Sequence, residues 1–267
     1  MPGRRSAAVR RDRRRWVSVA PDHGGRLSPM QRYSLDRNGF LLIEGVLDRA
    51  RVARMRSVVA AQRPAPAARS VPSQRLGQDG RLFEWDRSFV ELIDHPWVLA
   101  VLRELIGPHV RLDHAYGLVT SPGAPGPDRP GPTGAFDPDR FQVTPMGVAR
   151  RGGLAFSWAL TEGRPGGGGF GCIPGSHLGG ARPEGAESVL MPVAQPAGSL
   201  LVFTEGLVHG TIPWSGPGTR MVVMLEYSPG RPARGPAPPP AGPSTPDEPR
   251  RLFRPPWVGG HDPTVDP

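Results

Sequence analysis

The sequence predicts a mainly β fold, a double-stranded β-helix (cupin-like jelly roll) with flanking N-terminal helices. Three observations carry this expectation. Short apolar runs of strand length fill residues 110–228, separated by turns rich in Gly, Pro and Ser. Capped, helix-spaced apolar segments occur before residue 107. Helices that precede a series of short strands match an antiparallel jelly roll with helices packed outside it.

Residues 1–27 read as an Arg-rich leader, 28–230 as one jelly-roll domain and 231–267 as a Pro-rich tail. The leader holds seven Arg and one Asp in its first 15 residues, so +6 of the +9 formal charge sits there. It lacks the aromatic interleaving and helical spacing of a nucleic-acid arm, and no nucleic-acid partner is expected. Its apolar run, 16–20, is too short for a secretion signal, and no run is long enough for a membrane span. The tail has twelve Pro in 37 residues, with 251–257 as its one sticky patch. All 33 basic residues are Arg, a coding bias rather than a statement about partners, and the single Cys172 excludes an internal disulfide. A reducing, cytoplasmic setting is expected.

Within the domain, Ser28-Pro29 reads as a helix start and Asn38-Gly39 as its end, with Met30, Tyr33 and Leu35 on its apolar side. Phe40–Ile43 follows as a strand, then a helix opening at Leu47-Asp48 with Val52, Met55, Val58 and Val59 at helical spacing. Residues 64–80 read as loop and 83–93 as a short strand or turn. His95 reads as a cap or surface residue before a helix over 97–106. In the strand 110–120, alternation puts Leu112, His114, Tyr116 and Leu118 on one face. His114 is thereby either a pocket-lining residue, even a substitute metal ligand, or a hydrogen-bonded core histidine. Residues 121–147 form a long loop with seven Pro and five Gly, whose acids Asp128, Asp137 and Asp139 are carboxylate ligands or ordinary turn acids. Residues 153–161 read as a strand with Leu154, Phe156, Trp158 and Leu160 on one face. The glycine-rich stretch after it cannot be a P-loop, because the chain has no Lys. A further strand is expected over 189–193.

The organising stretch is 197–229. It reads as a hairpin of two apolar strands, 199–204 and 220–227, with His209 and Arg220 at its rims, eleven residues apart. A neutral imidazole suits a transition metal and an arginine fork suits a carboxylate, so the pair can serve one pocket.

SWAL at 157–160, PGSH at 174–177 and HGTIPW followed by Arg220, taken in order with the 33–59 opening, resemble the phytanoyl-CoA dioxygenase family of non-haem Fe(II) and 2-oxoglutarate oxygenases. The resemblance implies that His209 holds iron, that Arg220 holds the far carboxylate of 2-oxoglutarate and that Trp158 lies beside this co-substrate. It places His177 in a turn bordering the pocket, as a loop-orienting or substrate-side residue. The chain departs from the family pattern in one respect: Phe136-Asp137-Pro138 is present, but no histidine of a His-x-Asp or His-Gly-Gly motif precedes it. The function expected is a dioxygenase that hydroxylates a small or lipid-like molecule. The alternative is a catalytically silent jelly-roll binding module.

Overall fold

The computed structural model describes residues 26–62, 73–78, 80–107, 109–124, 141–143, 149–151, 153–178, 185–229 and 252. Helix α1 (Pro29–Asn38) begins at a reciprocal capping box: Gln31 N donates to Ser28 Oγ, and Ser28 N donates to Gln31 Oε1. It ends at Gly39, whose φ of 79° is the left-handed C-terminal position that glycine fills without strain. Its inward residues are Gln31 and Leu35, one turn apart. Met30 and Tyr33, expected inside, are exposed. Strand β1 (Phe40–Ile43) and helix α2 (Arg49–Ala61), capped by Asp48, follow as the sequence predicts.

Two expectations are corrected in the next stretch, and the reading of His95 as a cap holds. Strand β2 (Ser73–Leu76) lies inside the span read as loop. It is a polar edge strand with no alternation to betray it. Residues read as strand or turn form two one-turn helices, α3 (Leu82–Trp85) and α4 (Arg87–Val90), which bury Leu82, Phe83, Phe89 and Val90. Helix α5 (Pro96–Leu105) starts at His95, whose Nδ1 accepts from Trp97 N.

Strand β3 (Val110–Thr120) occupies the predicted span. The next strands are β4 (Phe141–Val143), β5 (Ala149–Arg151), β6 (Leu154–Ala159) and β7 (Gly169–Cys172), then β8 (Met191–Pro192), β9 (Leu200–Thr204), β10 (His209–Ile212) and β11 (Arg220–Pro229). The long loop thus contains β4, paired with β5, and the glycine-rich stretch contains β7, where glycine composition masks a strand. The strand expected over 189–193 shrinks to β8, preceded by a 3-10 turn at Ala186–Val189.

Six strands form an antiparallel sheet in the order β1-β9-β6-β11-β3-β2, and three form a second sheet, β10-β7-β8. The expected hairpin of β9 and β11 is therefore not one: β6 lies between them, and the linking segment crosses to the second sheet as β10. A jelly roll alternates between its sheets in this way, so sequence neighbours do not pair.

Strict alternation divides the large sheet. Leu154, Phe156, Trp158, Leu200, Val202, Val223 and Leu225 face the helices in the larger core. Phe40, Ala155, Leu201, Phe203, Val222 and Met224 face the second sheet, where Phe170 and Cys172 meet them. Tyr227 ties the sheet to the helix layer, its hydroxyl donating to Ile93 O at 2.8 Å. Leu252, within the sticky patch of the Pro-rich segment, is 2% exposed in the helix-side core. No helix among the described residues is long and apolar enough to cross a membrane.

Candidate active site

Arg220 opens β11 with its side chain on the face that looks between the sheets, alongside Val222 and Met224. It is 7% exposed and has no hydrogen-bond or ion-pair partner among the described residues. Burial alone lowers its pKa to about 10, so it stays charged at neutral pH. A desolvated cation without a counter-charge is costly to the fold, and a carboxylate entering beside it relieves that cost. Beside it lies a small cleft lined by Thr161, Gly168, Phe170, Gln195, Trp214 and Arg220 among others.

The walls of this cleft are fixed locally. Trp214 is 1% exposed and donates through Nε1 to Gly218 O at 2.9 Å. Thr161 Oγ1 accepts from Met221 N at 3.0 Å, pinning the chain beside Arg220. Gln195 Nε2 donates to Ser157 O at 2.6 Å. The glycine run acts by close approach: at Gly168 (φ +76°) a Cβ would fall 2.0 Å from Pro213 O, and at Gly169 one would fall 3.0 Å from Arg220 Nε.

His209 begins β10, opposite Cys172 on β7. Its Nδ1 lies 2.7 Å from Leu207 O, and a carbonyl only accepts, so Nδ1 carries the proton and Nε2 keeps a free lone pair. Burial pushes its pKa down, partly offset by the Leu207 bond and the Glu226 charge, so the neutral, ligating form prevails at neutral pH. Phe170 stacks on the ring at 5.7 Å and Phe203 tilts against it at 4.7 Å. Phe170 also lines the Arg220 cleft, so the imidazole and guanidinium share one apolar wall. Burial raises the Cys172 thiol to about 12, which leaves it a neutral packing group.

The other sequence candidates separate. Trp158 is wholly buried on the opposite face of the sheet, edge-on to His95 at 5.1 Å, because its odd position in β6 turns it to the helices. That is the plain core position, away from the cleft. His114 is exposed rather than in the core. Residue 113 bulges, since Glu226 pairs with His114 while Tyr227 pairs with Leu112, and the expected face shared by Leu112 and His114 is broken. His177 sits in a 3-10 turn (Ser176–Leu178) with Nε2 3.0 Å from Asp36 O, fastening the turn to α1. Asp137, like Asp128 and Asp139, lies outside the described residues. Among the described residues, no three His, Cys, Asp or Glu side chains converge to hold a metal. Sequence reasoning missed Gln195, Thr161 and Trp214; the tryptophan lay within the quoted HGTIPW run, but the other two carry no motif.

The sequence model of the phytanoyl-CoA dioxygenase (PhyH) family matches residues 35–222. The chain belongs to the phytanoyl-CoA dioxygenase family. It is thereby a non-haem iron, 2-oxoglutarate-dependent oxygenase by class. HygX from Streptomyces hygroscopicus, solved with nickel, 2-oxoglutarate and hygromycin B bound, is 23% identical with a TM-score of 0.62, over 76% of this chain and 88% of that one. Its iron-bound form aligns with the same TM-score. SnoK, a non-heme alpha ketoglutarate dependent carbocyclase from nogalamycin biosynthesis, is 18% identical with a TM-score of 0.59, over 80% of this chain and 88% of SnoK. At these identities the likeness establishes a common fold. No curated protein matches the chain at a significant level.

The chemistry on offer among the described residues is a buried guanidinium without an acid partner, Arg220, which suits a carboxylate, and an imidazole, His209, whose Nε2 lone pair suits a metal.

Proposed function

We propose that this chain oxidises a small organic molecule, by hydroxylation, with Arg220 as the co-substrate anchor and His209 as a metal ligand. The observation that carries the reading is the buried Arg220 guanidinium, lacking an acid partner among the described residues, in a cleft that shares Phe170 with His209. HygX and SnoK, similar in fold, give the reading context through the 2-oxoglutarate named for each. Asp137 is the sequence's carboxylate candidate to join His209 at the metal.

When bound, iron and 2-oxoglutarate supply dioxygen activation: one oxygen atom goes to the substrate, and the other enters succinate as CO2 leaves. The chain's own residues bind and orient. Arg220 grips the distal carboxylate with two parallel N–H donors, a geometry that a lysine cannot copy. The Leu207 carbonyl fixes the tautomer and aim of His209. Phe170 and Phe203 exclude water around it.

The test is 2-oxoglutarate binding by titration calorimetry. Arg220→Lys weakens it by about 1.5 to 3 kcal/mol, the scale of charge-assisted hydrogen bonds. Equal affinity in the two proteins removes Arg220 from the site.

A further inference from the structure

We infer that Ser176 is a positioning residue for His209, acting through the single peptide unit that joins Leu207 to Val208. The inference rests on the reading of His209 as a metal ligand and names the group that aims it.

Leu207 O accepts the Nδ1 proton of His209 at 2.7 Å, so the direction of that carbonyl decides where Nε2 points. The carbonyl cannot turn alone. It shares a planar, trans peptide with the N–H of Val208, and the two groups point in opposite directions from that plane's axis. Val208, 4% exposed, donates this N–H to Ser176 Oγ at 2.8 Å. Fixing the N–H on the hydroxyl therefore fixes the carbonyl, and polarises it toward the imidazole. The contacts run from the serine oxygen through one peptide to Nδ1, and Nε2 is their open end.

The hydroxyl is itself held in place. Ile173 N donates to Val208 O at 2.9 Å, carrying the pairing of β7 and β10 one residue past Cys172 and His209. The chain then reverses: Ser176 N donates to Ile173 O at 3.1 Å, with Pro174 second in the turn and Gly175, at φ 80°, third. That order suits a type II turn, and it brings Ser176 back to Val208. Two further bonds fasten the turn to the end of α1, from Gly175 N to Asn38 O and from His177 Nε2 to Asp36 O, each at 3.0 Å. These donors satisfy carbonyls that a helix end leaves open. Gly39 shows how closely the parts meet: a Cβ there would fall 2.5 Å from His177 Nδ1 and 2.8 Å from Leu207 Cδ1. None of residues 174–177 lines the Arg220 cleft. The PGSH run is thus a brace between α1 and His209. A hydroxyl that only satisfied a buried N–H would stabilise the fold and leave the ring untouched, whereas the shared peptide makes the ring respond.

The test uses the full chain, first metal-free and then with Co(II) as the probe. NMR of isotope-labelled histidine reads the His209 tautomer, its signals assigned by their loss in His209→Ala, and titration reads Co(II) affinity. The expected wild type holds the Nδ1-protonated tautomer. Ser176→Ala mixes the two tautomers and binds Co(II) roughly 10-fold more weakly, the scale of outer-shell partners. Ser176→Thr, which keeps the hydroxyl, restores both readings. Ser176→Cys, whose sulfur is a weak acceptor, falls between, and it decides the matter if Ser176→Ala does not fold. Wild-type tautomer and Co(II) affinity in Ser176→Ala or Ser176→Cys overturns this inference alone, as do equal losses in Ser176→Ala and Ser176→Thr. A wild type that binds no Co(II) overturns the reading of His209 as a ligand and this inference with it.

Discussion

Arg220, buried, and His95, half-buried, are both basic groups, and they make opposite predictions. Arg220 holds a charge that the fold does not neutralise among the described residues, so replacing it with an apolar residue of similar length relieves strain on the apoprotein. Arg220→Met should melt above the wild type without ligand and lose the thermal shift that 2-oxoglutarate gives the wild type, as read by differential scanning fluorimetry. His95 is held neutral: burial, then the Arg51 charge, lowers its pKa to about 4. Because its folded pKa lies below the unfolded value of ~6.5, the unfolded chain binds the extra proton as pH falls. Stability is therefore full above about pH 6.5 and declines down to about pH 4. His95→Asn keeps a capping acceptor for Trp97 N and should flatten that part of the decline, measured as urea midpoints at pH 7 and pH 5. Of these residues, His209 and Arg220 stood out because imidazole and guanidinium chemistry is specific, and the structure sets both beside Phe170. Trp158 was ambiguous because one strand position decides whether a ring meets the cleft or the helices. His114 was misplaced by a bulge at Asp113 that no composition announces.

At the scale of elements, Gly168 and Gly169 carry the argument. They let β7 and the Pro213 backbone approach closely enough to shape the cleft under Arg220. Gly168→Ala puts a methyl group against Pro213 O at a positive φ. It should cost more than about 1 kcal/mol in chemical denaturation and weaken 2-oxoglutarate binding as the wall shifts. Caps and apolar spacing made α1, β1, α2, α5 and β3 readable, each with a local signal at its ends. β2, β4 and β7 were unreadable for the opposite reason: all three are short, β2 is polar, β7 is glycine-rich, and pairing with a neighbouring strand defines them.

At the scale of the whole molecule, two cores divide the work. The helix-side core is the larger, and the inter-sheet core is the one that Arg220 and His209 adjoin through Phe170. Leu252 belongs to the first, although composition assigned its segment to a tail. Leu252→Ala should destabilise the protein by about 2 to 5 kcal/mol in denaturant melts while leaving 2-oxoglutarate affinity unchanged. The sheet order was beyond sequence reasoning, since the β9 and β11 runs look like a hairpin until β6 is seen between them.

The central claim, that His209 and Arg220 serve one iron and 2-oxoglutarate site, is tested most directly by anaerobic titration of Fe(II) and 2-oxoglutarate, following the weak charge-transfer absorbance. The account predicts that band in the wild type, its loss in His209→Ala, and its appearance in Arg220→Lys only at higher 2-oxoglutarate. No band in the wild type, or tight stoichiometric iron retained by His209→Ala, would contradict it.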